Sequence, residues 1–446
     1  MDSFPTRDLS PEVSRALLEA CAEGKSPRIP EWLGAFFRDE PTPRPERPLT
    51  PEERIRGLAT VWSEAKYNFA YWDRLPGEEW WDEQFQAYIP LVLKAASDEE
   101  YWRLMVAFGN LLRDGHTLVL PPPWLTGQKS VPPLRIIAVE GRPVVLEGEG
   151  LPPGTEILAV DGRPVEEVRR ELAASLPMVT EQYREWATAS QVLRGPAGTE
   201  VQVRVRLPDG SEQEMRLRRT GPLPPRPPLE VRDLGDGLFH VAVNTMFTDE
   251  TWQAFDRRFP DFAGVRGLIL DLRWNNGGNS QVGWQILARL IERPTRAAAE
   301  RMRCYLPTHR AYGFSQRWVV AEPATIEPRR DLPTFTGPVA VLSSPATGSA
   351  AEDFLVAFRE SRRGPIVGGP SCGSTGQPLA VPLPGGGAFL VCTKRDTFPD
   401  GTPFVGYGIQ PDIPAALTIA GLAAGRDEVL ERAVEAIRAR LEPVRP

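Results

Sequence analysis

From about residue 229 to the end of the chain, short apolar strands alternate with amphipathic helices. VRGLILDLR and GPVAVLSS are typical of buried strands, whereas SAAEDFLVAFRES and DEVLERAVEAIRARLE have apolar residues at helical spacing. Each such element is hydrophobic on one side and must bury that side against another element. The pattern therefore predicts an α/β core in which helices pack on sheets.

Two further regions precede this core, since 446 residues are too many for one ordinary domain. Residues 1–120 are predicted to be a mostly helical N-terminal region that ends in the loop of His116, with a Pro-rich strap, DEPTPRPERPLTPEE, that cannot be helical. Residues 121–222 have alternating strands and Asp-Gly turns, typical of a small β-rich domain. TGPLPPRPPLE indicates a stiff linker into the core, residues 223–446, which ends in a helix.

Composition excludes several classes of protein. The net charge of -7 argues against a nucleic-acid partner, because phosphate contacts need clustered basic residues. The four cysteines form no CxxC pair and no Cys/His cluster, so we expect no disulfide scaffold and no metal site, and no phosphate-cradling motif suggests a cofactor. We see neither a signal peptide nor a membrane-spanning run, and expect a cytoplasmic protein, or an exported one if a signal has been removed.

Ser349 stands between an apolar strand and a predicted helix, in ATGSAAEDFL. With Glu352 three residues later it fits the capping box, in which the serine accepts from an amide and the glutamate reaches back. The same position suits a nucleophile, because a helix N-terminus has free amides and the N–H of Ala350 can hold an oxyanion. The residues alone leave both roles open.

A glycine pair, Gly277 and Gly278, follows another buried strand in DLRWNNGGNS. Glycine lets the backbone turn sharply and point its amides outward. The pair is therefore either a plain strand-to-helix loop or the source of a second oxyanion donor.

Four motifs occur in one order: DLRWNNGG, SSPATGSAAEDF, VGGPSCGSTGQP and VGYGIQPDI. Together with PPGTEILAVDGRPV in the β-rich domain, they resemble the C-terminal processing (tail-specific) serine peptidases over most of the chain. The resemblance implies a crotonase-like β/α spiral core with an inserted PDZ-like domain. It also implies that Ser349 is the nucleophile, and that Ala350 forms an oxyanion hole with Gly277 or Gly278.

Many such peptidases use a lysine as the general base, at the position where this chain has Ser374. This chain must therefore use a different base. Lys394 lies outside that motif, on the next strand. A serine needs a base because its hydroxyl is barely ionised at neutral pH, and histidine is the natural alternative. His116, in RDGHT, matches the catalytic histidine of the tricorn-like branch, whereas His240 lies in an apolar strand and His309 in a loop without a motif. His116 is the predicted base.

A third group should orient the imidazole of His116. The tricorn-like pattern has a glutamate before the Gly-x-Gly of the closing motif, but Val405 occupies that position here. The candidates that remain are Ser374, Asp400 and Asp114, the last of which also suits a turn.

The predicted function is a serine endopeptidase that hydrolyses unfolded or C-terminally exposed polypeptides through an acyl-enzyme on Ser349. The alternative is a weak or inactive homologue that binds peptides or hydrophobic ligands, as the interphotoreceptor retinoid-binding protein does. A third idea is a PDZ scaffold whose core only supports assembly. The PDZ-like domain could add a peptide as a strand and hold its C-terminus, or could be a lid over the site. The sequence predicts no oligomeric state.

Overall fold

The structure is a computed structural model that describes residues 7–22, 36, 43–127, 129–177, 180–262, 264–314, 316–331 and 333–441. The start of the chain, the first residues of the Pro-rich strap and the Cys21 side chain lie outside the described residues. The other three cysteines, Cys304, Cys372 and Cys392, are free thiols.

The N-terminal region is built mainly of helices. Its elements are β1 (Arg7–Asp8), α1 (Pro11–Ala22), α2 (Pro51–Asn68), α3 (Glu78–Lys94), α4 (Asp98–Asn110) and β2 (Leu118–Leu120). Hydroxyl side chains start two of the helices: Thr50 accepts from the Glu53 N–H at α2, and Ser97 accepts from the Glu100 N–H at α4. These caps explain why the helices begin directly after Pro-rich or polar stretches.

The β-rich domain has an antiparallel sheet with two main helices. Its elements are α5 (Pro123–Thr126), β3 (Lys129–Ser130), β4 (Leu134–Val139), β5 (Arg142–Gly148), β6 (Glu156–Val160), β7 (Arg163–Pro164), α6 (Val165–Ser175), α7 (Glu181–Gln191), β8 (Gly195–Pro196), β9 (Glu200–Arg206) and β10 (Glu212–Arg218). The strand order is β10-β9-β6-β5-β4, and the domain has a buried hydrophobic cluster of its own.

The remainder of the chain forms the α/β core. Its elements are β11 (Leu229–Asp233), β12 (Leu238–Val243), α8 (Glu250–Phe262), β13 (Gly267–Asp271), α9 (Ser280–Leu287), β14 (Thr295–Arg296), β15 (Ala299–Cys304), α10 (Pro307–Ala311), β16 (Arg317–Ala321), β17 (Thr325–Ile326), β18 (Val339–Ser343), α11 (Ala350–Ser361), β19 (Ile366–Gly368), β20 (Pro378–Pro382), β21 (Ala388–Cys392), β22 (Lys394–Thr397), β23 (Ile413–Pro414), α12 (Ile419–Ala423) and α13 (Glu428–Leu441).

The central sheet of the core has the order β11-β12-β13-β18-β19-β23 and is parallel from β12 onward. Parallel neighbours need a crossover, and α8, α9 and α11 lie in the connections that follow β12, β13 and β18. The carboxyl ends of neighbouring parallel strands meet at one edge of such a sheet. The loops after β13 and β18 therefore lie side by side, and this edge carries the candidate site.

The N-terminal region packs as part of the core. Strand β2 pairs with β21, and β1 pairs with β16. Leu58, Trp81 and Phe108 of the N-terminal helices belong to the same buried cluster as Val241 and Phe354 of the core. The predicted α/β multidomain class is confirmed, and the helices α2, α3 and α4 share one hydrophobic interior with the core. Over the described ranges, no helix has the length and apolar character that a membrane crossing requires.

Candidate active site

Ser349 lies in the sharp turn between β18 and α11. Its backbone has φ 53° and ψ -126°, a region that costs energy for any residue other than glycine. The turn leaves the side chain half-buried, and its Oγ lies 3.2 Å from Nε2 of His116. A strained serine at a strand-to-helix turn is an arrangement that exposes a nucleophile at the end of a sheet.

His116 reaches Ser349 from a tight turn between α4 and β2. The Asp114 carboxylate accepts from the His116 N–H at 3.2 Å and from the Thr117 hydroxyl at 2.7 Å. Thr117 Oγ1 in turn accepts from the Cys392 N–H at 3.0 Å, next to the pairing of β2 with β21. The turn is thereby attached to the core, which holds the imidazole over the end of the central sheet.

The other ring nitrogen of His116 contacts Ser374. Nδ1 lies 2.7 Å from Ser374 Oγ, and Ser374 is buried. If Nδ1–H donates to that hydroxyl, Nε2 has its lone pair free to accept from Ser349. Of the three predicted orienting groups, the structure brings only Ser374 to the ring. Asp114 holds the backbone of the turn, and Asp400 lies in an exposed turn where it accepts from the Thr402 N–H.

The charge state of His116 suits a base. Burial of the imidazole lowers its pKa below the ordinary value, while the negative charges of Asp114 and Asp353 act in the opposite direction. Burial raises the pKa of Asp114. A lowered pKa means that the ring is neutral at neutral pH and can accept a proton.

Lys394 lies closer to the site than its place outside the sequence motif suggests, because its charge also lowers the pKa of His116. Its Nζ contacts Glu300 at 2.6 Å and Asp396 at 2.9 Å. Burial would lower the pKa of Lys394, but these carboxylates outweigh burial and raise it. Lys394 therefore stays charged, and a charged ammonium cannot act as the base.

The predicted oxyanion donors differ in whether their backbone N–H groups already have a hydrogen-bond partner. The Gly277 N–H donates to Asn275 Oδ1 at 2.9 Å, so it is occupied. Among the described residues we find no hydrogen-bond acceptor for the N–H of Ala350 or of Gly278. Gly278 is exposed, whereas Gly277 is buried. Of the two predicted glycines, Gly278 is the one whose amide remains free, and the Asx turn of Asn275 is the sequence signal that could have indicated this.

Gly277 packs directly against Ser349. A Cβ atom at this position would lie 2.6 Å from Ser349 Cβ and 2.9 Å from the Ala350 nitrogen. Its φ of 106° is also a value that favours glycine. The close approach of the two loops therefore requires a residue without a side chain at position 277.

The β-rich domain contacts the loop that carries Ser374. Thr180 Oγ1 donates to the Cys372 carbonyl at 2.7 Å, and Gln182 Nε2 donates to the carbonyls of Ser371 and Tyr407 at 2.9 and 3.0 Å. These residues lie at the start of α7, and Thr180 and Cys372 are 192 positions apart. No local pattern in the sequence indicates such contacts.

The other two histidines lie elsewhere in the fold. His240 Nε2 lies 3.0 Å from the Asp271 carboxylate, which also accepts from Arg273, so His240 joins strands β12 and β13. His309 belongs to the short helix α10 and packs edge-on against Phe314. In the part of the chain that the structure describes, no three His, Cys, Asp or Glu side chains are grouped as a metal site requires.

Comparison with known proteins agrees with this architecture. Residues 239–415 match the family model for Peptidase family S41. A chloroplastic C-terminal processing peptidase of Tetradesmus obliquus is 28% identical over 178 residues. That alignment covers 40% of this chain and only 34% of the algal protein, so the chain matches about a third of its curated relative.

Two solved structures have the same fold. Mature CPAF superposes with a TM-score of 0.68 at 16% identity, over 88% of this chain and 98% of CPAF. The photosystem II D1 C-terminal processing protease gives a TM-score of 0.50 at 20% identity, over 89% of this chain and 98% of the protease. At these identities the likeness shows the fold alone. Residues 239–415 are thus similar in sequence to Peptidase family S41, a family of serine-type peptidases, and they lie in a chain that shares the fold of these two structures.

Proposed function

We propose that the protein is a serine endopeptidase in which Ser349 is the nucleophile and His116 the general base. One observation carries the proposal: His116 Nε2 lies 3.2 Å from Ser349 Oγ while its Nδ1 lies 2.7 Å from Ser374 Oγ. A ring nitrogen within hydrogen-bond reach of the hydroxyl can take its proton, and a partner on the other nitrogen fixes the ring.

The reaction follows from these contacts. The Ser349 hydroxyl attacks the scissile carbonyl and passes its proton to His116, which returns it to the leaving amine. The N–H groups of Ala350 and Gly278 stabilise the oxyanion, since donors aimed at developing charge lower the barrier most. The acyl-enzyme on Ser349 is then hydrolysed by water, which His116 deprotonates in the same way. Ser374 is the positioning residue for the imidazole.

The proposed substrate is an unfolded or C-terminally exposed polypeptide, as the name of the algal relative suggests. The contacts of Thr180 and Gln182 with the loop of Ser374 favour a β-rich domain that covers and supports the site. A groove that holds the substrate C-terminus stays a prediction. The cytoplasmic location and the assignment to the tricorn-like branch also stay predictions. The chloroplast location in the name of the algal protein is a property of that relative.

A fluorophosphonate probe tests the proposal, because it reacts much faster with an activated serine than with an ordinary hydroxyl. We expect labelling at one residue, Ser349, mapped by mass spectrometry of the labelled peptide. Cleavage of an unfolded protein such as casein should be inhibited in proportion to labelling. A folded protein that is neither labelled nor active would favour the alternative, a homologue that binds peptides or hydrophobic ligands.

Gly277→Ala should reduce kcat/KM by a factor of about 10² to 10³, the effect of removing one oxyanion donor. The added methyl would press on Ser349 and lie over the N–H of Ala350, at the distances given above. Steady-state hydrolysis of a fluorogenic peptide measures the loss.

Gly401→Ala is the matched control for backbone strain. Gly401 has a similar positive φ of 87°, but no atom lies within 4 Å of a Cβ added there. We expect this variant to lose some stability and to keep its activity. Equal losses of activity in the two variants would show that strain, and not contact with the nucleophile, is responsible.

A further inference from the structure

Glu352 is a buried carboxylate that the reaction above does not use. It is the third residue of α11 and has no exposed surface. Its Oε1 accepts from the Ser371 hydroxyl and from the Gly373 N–H at 2.7 Å. Its Oε2 accepts from the Ser374 N–H at 2.9 Å and from the Ser349 N–H at 3.3 Å. One side chain thus joins the nucleophile to the loop of Ser374.

We propose that Glu352 is a positioning residue, which holds Ser349 and Ser374 at the separation that the imidazole between them requires. The proposal rests on the proposed function, because Glu352 acts only through those two serines. The Ser349 N–H also donates to the Ser374 carbonyl at 2.8 Å, so the two residues meet directly, and the carboxylate fixes the loop behind this contact. A capping box needs only the bond to Ser349, so the three bonds to the loop exceed what a cap requires.

Four donors on one carboxylate require its ionised form. An ionised carboxylate only accepts, whereas a protonated acid carries an O–H that would face an N–H or a hydroxyl already donating to it. At least one of the four bonds is lost on protonation. A shift of Ser374 would move the imidazole that it contacts, and a misplacement of about 1 Å at reacting groups can cost about 10²-fold in rate.

The environment of Glu352 places this protonation near neutral pH. Burial raises the pKa of Glu352 to about 7, and the charge of Asp353 acts in the same direction, while the bonds from the loop lower it. The other ionisable group against it is Cys372, whose thiol pKa is raised by burial and by the Glu352 charge. Asp353 itself accepts from Ser280 and Thr375. As pH falls through 7, the ionised form that holds the loop is lost.

Glu352→Gln is the direct test. The glutamine amide places an NH₂ group against groups that donate to the carboxylate in the wild-type protein. The loop of Ser374 should therefore shift, and kcat should fall about 100-fold. KM should stay within about twofold, because the change affects the geometry of the reacting groups and not substrate binding. The rate of fluorophosphonate labelling at Ser349 should fall by the same factor. In the wild-type protein the acid limb of kcat/KM should have its midpoint near pH 7, the pKa of Glu352. In the variant the midpoint should move lower, to that of His116, because burial holds the pKa of that imidazole below its ordinary value.

Glu360→Gln on the same helix is the matched control, because Glu360 pairs with Arg296 at the protein surface and should keep wild-type kinetics. The double variant of Glu352→Gln with Ser374→Ala should lose less than the product of the two single losses, because part of the effect of Glu352 passes through the Ser374 hydroxyl. Wild-type kcat and labelling in Glu352→Gln would overturn the proposal, and so would losses that multiply in the double variant.

If circular dichroism shows that Glu352→Gln does not fold, Ser371→Ala replaces it. That change removes one of the four donors and leaves the carboxylate in place, so a folded variant should lose roughly tenfold in kcat. A folded Ser371→Ala protein with unchanged kcat would overturn the proposal. Failure of the wild-type protein to be labelled at Ser349 would instead contradict the proposed function, so the two failures are distinguishable.

Discussion

Ser349→Ala is expected to abolish peptide hydrolysis and fluorophosphonate labelling. In the proposed mechanism the serine supplies the atom that bonds to the substrate, and loss of such a nucleophile typically costs a factor on the order of 10⁶ in kcat. The fold should be retained, because the removed hydroxyl belongs to a half-buried side chain at the surface of the site, in contact with the His116 ring. Hydrolysis of a fluorogenic peptide and thermal unfolding of the same preparation measure both effects.

Ser361→Ala is the matched control on the same helix. Ser361 is the last residue of α11, and its hydroxyl donates to the Phe358 carbonyl, remote from the nucleophile in the helix. We expect wild-type hydrolysis and labelling from this variant. Substantial hydrolysis by a homogeneous Ser349→Ala protein would show that another residue is the nucleophile.

His116→Ala should lower kcat by a factor on the order of 10⁴ to 10⁶, because without a base the Ser349 hydroxyl is not activated. KM should change little, since the imidazole is required for proton transfer and not for binding the substrate. The reaction rate with the fluorophosphonate should fall in parallel. Stopped-time labelling and steady-state kinetics on one preparation separate the loss of nucleophilicity from a loss of binding.

His309→Ala serves as the control for a change at histidine. His309 lies in the short helix α10, where its ring packs against Phe314. This variant should keep wild-type kcat. A His116→Ala protein that is folded and labelled at the normal rate would contradict the role of His116 and point to a different base.

Local sequence patterns predict much of this site, because each feature is encoded within a few residues. Free backbone amides at the end of a sheet are indicated by a serine before a helix and by a glycine pair after a buried strand. Four such motifs in one order indicated a resemblance to the C-terminal processing serine peptidases, and residues 239–415, which match the S41 family model, contain all four. The absence of the motif lysine and the match of RDGHT to the tricorn-like histidine led to His116 as the predicted base.

Other properties depend on contacts between distant parts of the chain. His116 lies 233 positions from Ser349 and 258 from Ser374, and the pairing of β2 with β21 brings them together. The effect of Lys394 could not be predicted from the sequence either. This residue lies outside the motif, yet its buried charge lowers the pKa of His116. Such effects follow from packing and burial, which no local pattern specifies.

The sequence by itself determined the α/β class, the nucleophile candidate, the two glycines and the three candidates for the orienting group. Only the tertiary structure decided among them, since Ser374 meets the ring, Asp114 holds the backbone and Asp400 is exposed. It also gave Glu352 a second role beyond the helix cap. The physical reason is that a motif specifies local backbone geometry, whereas hydrogen-bond partners and desolvation depend on which segments the folded chain brings together.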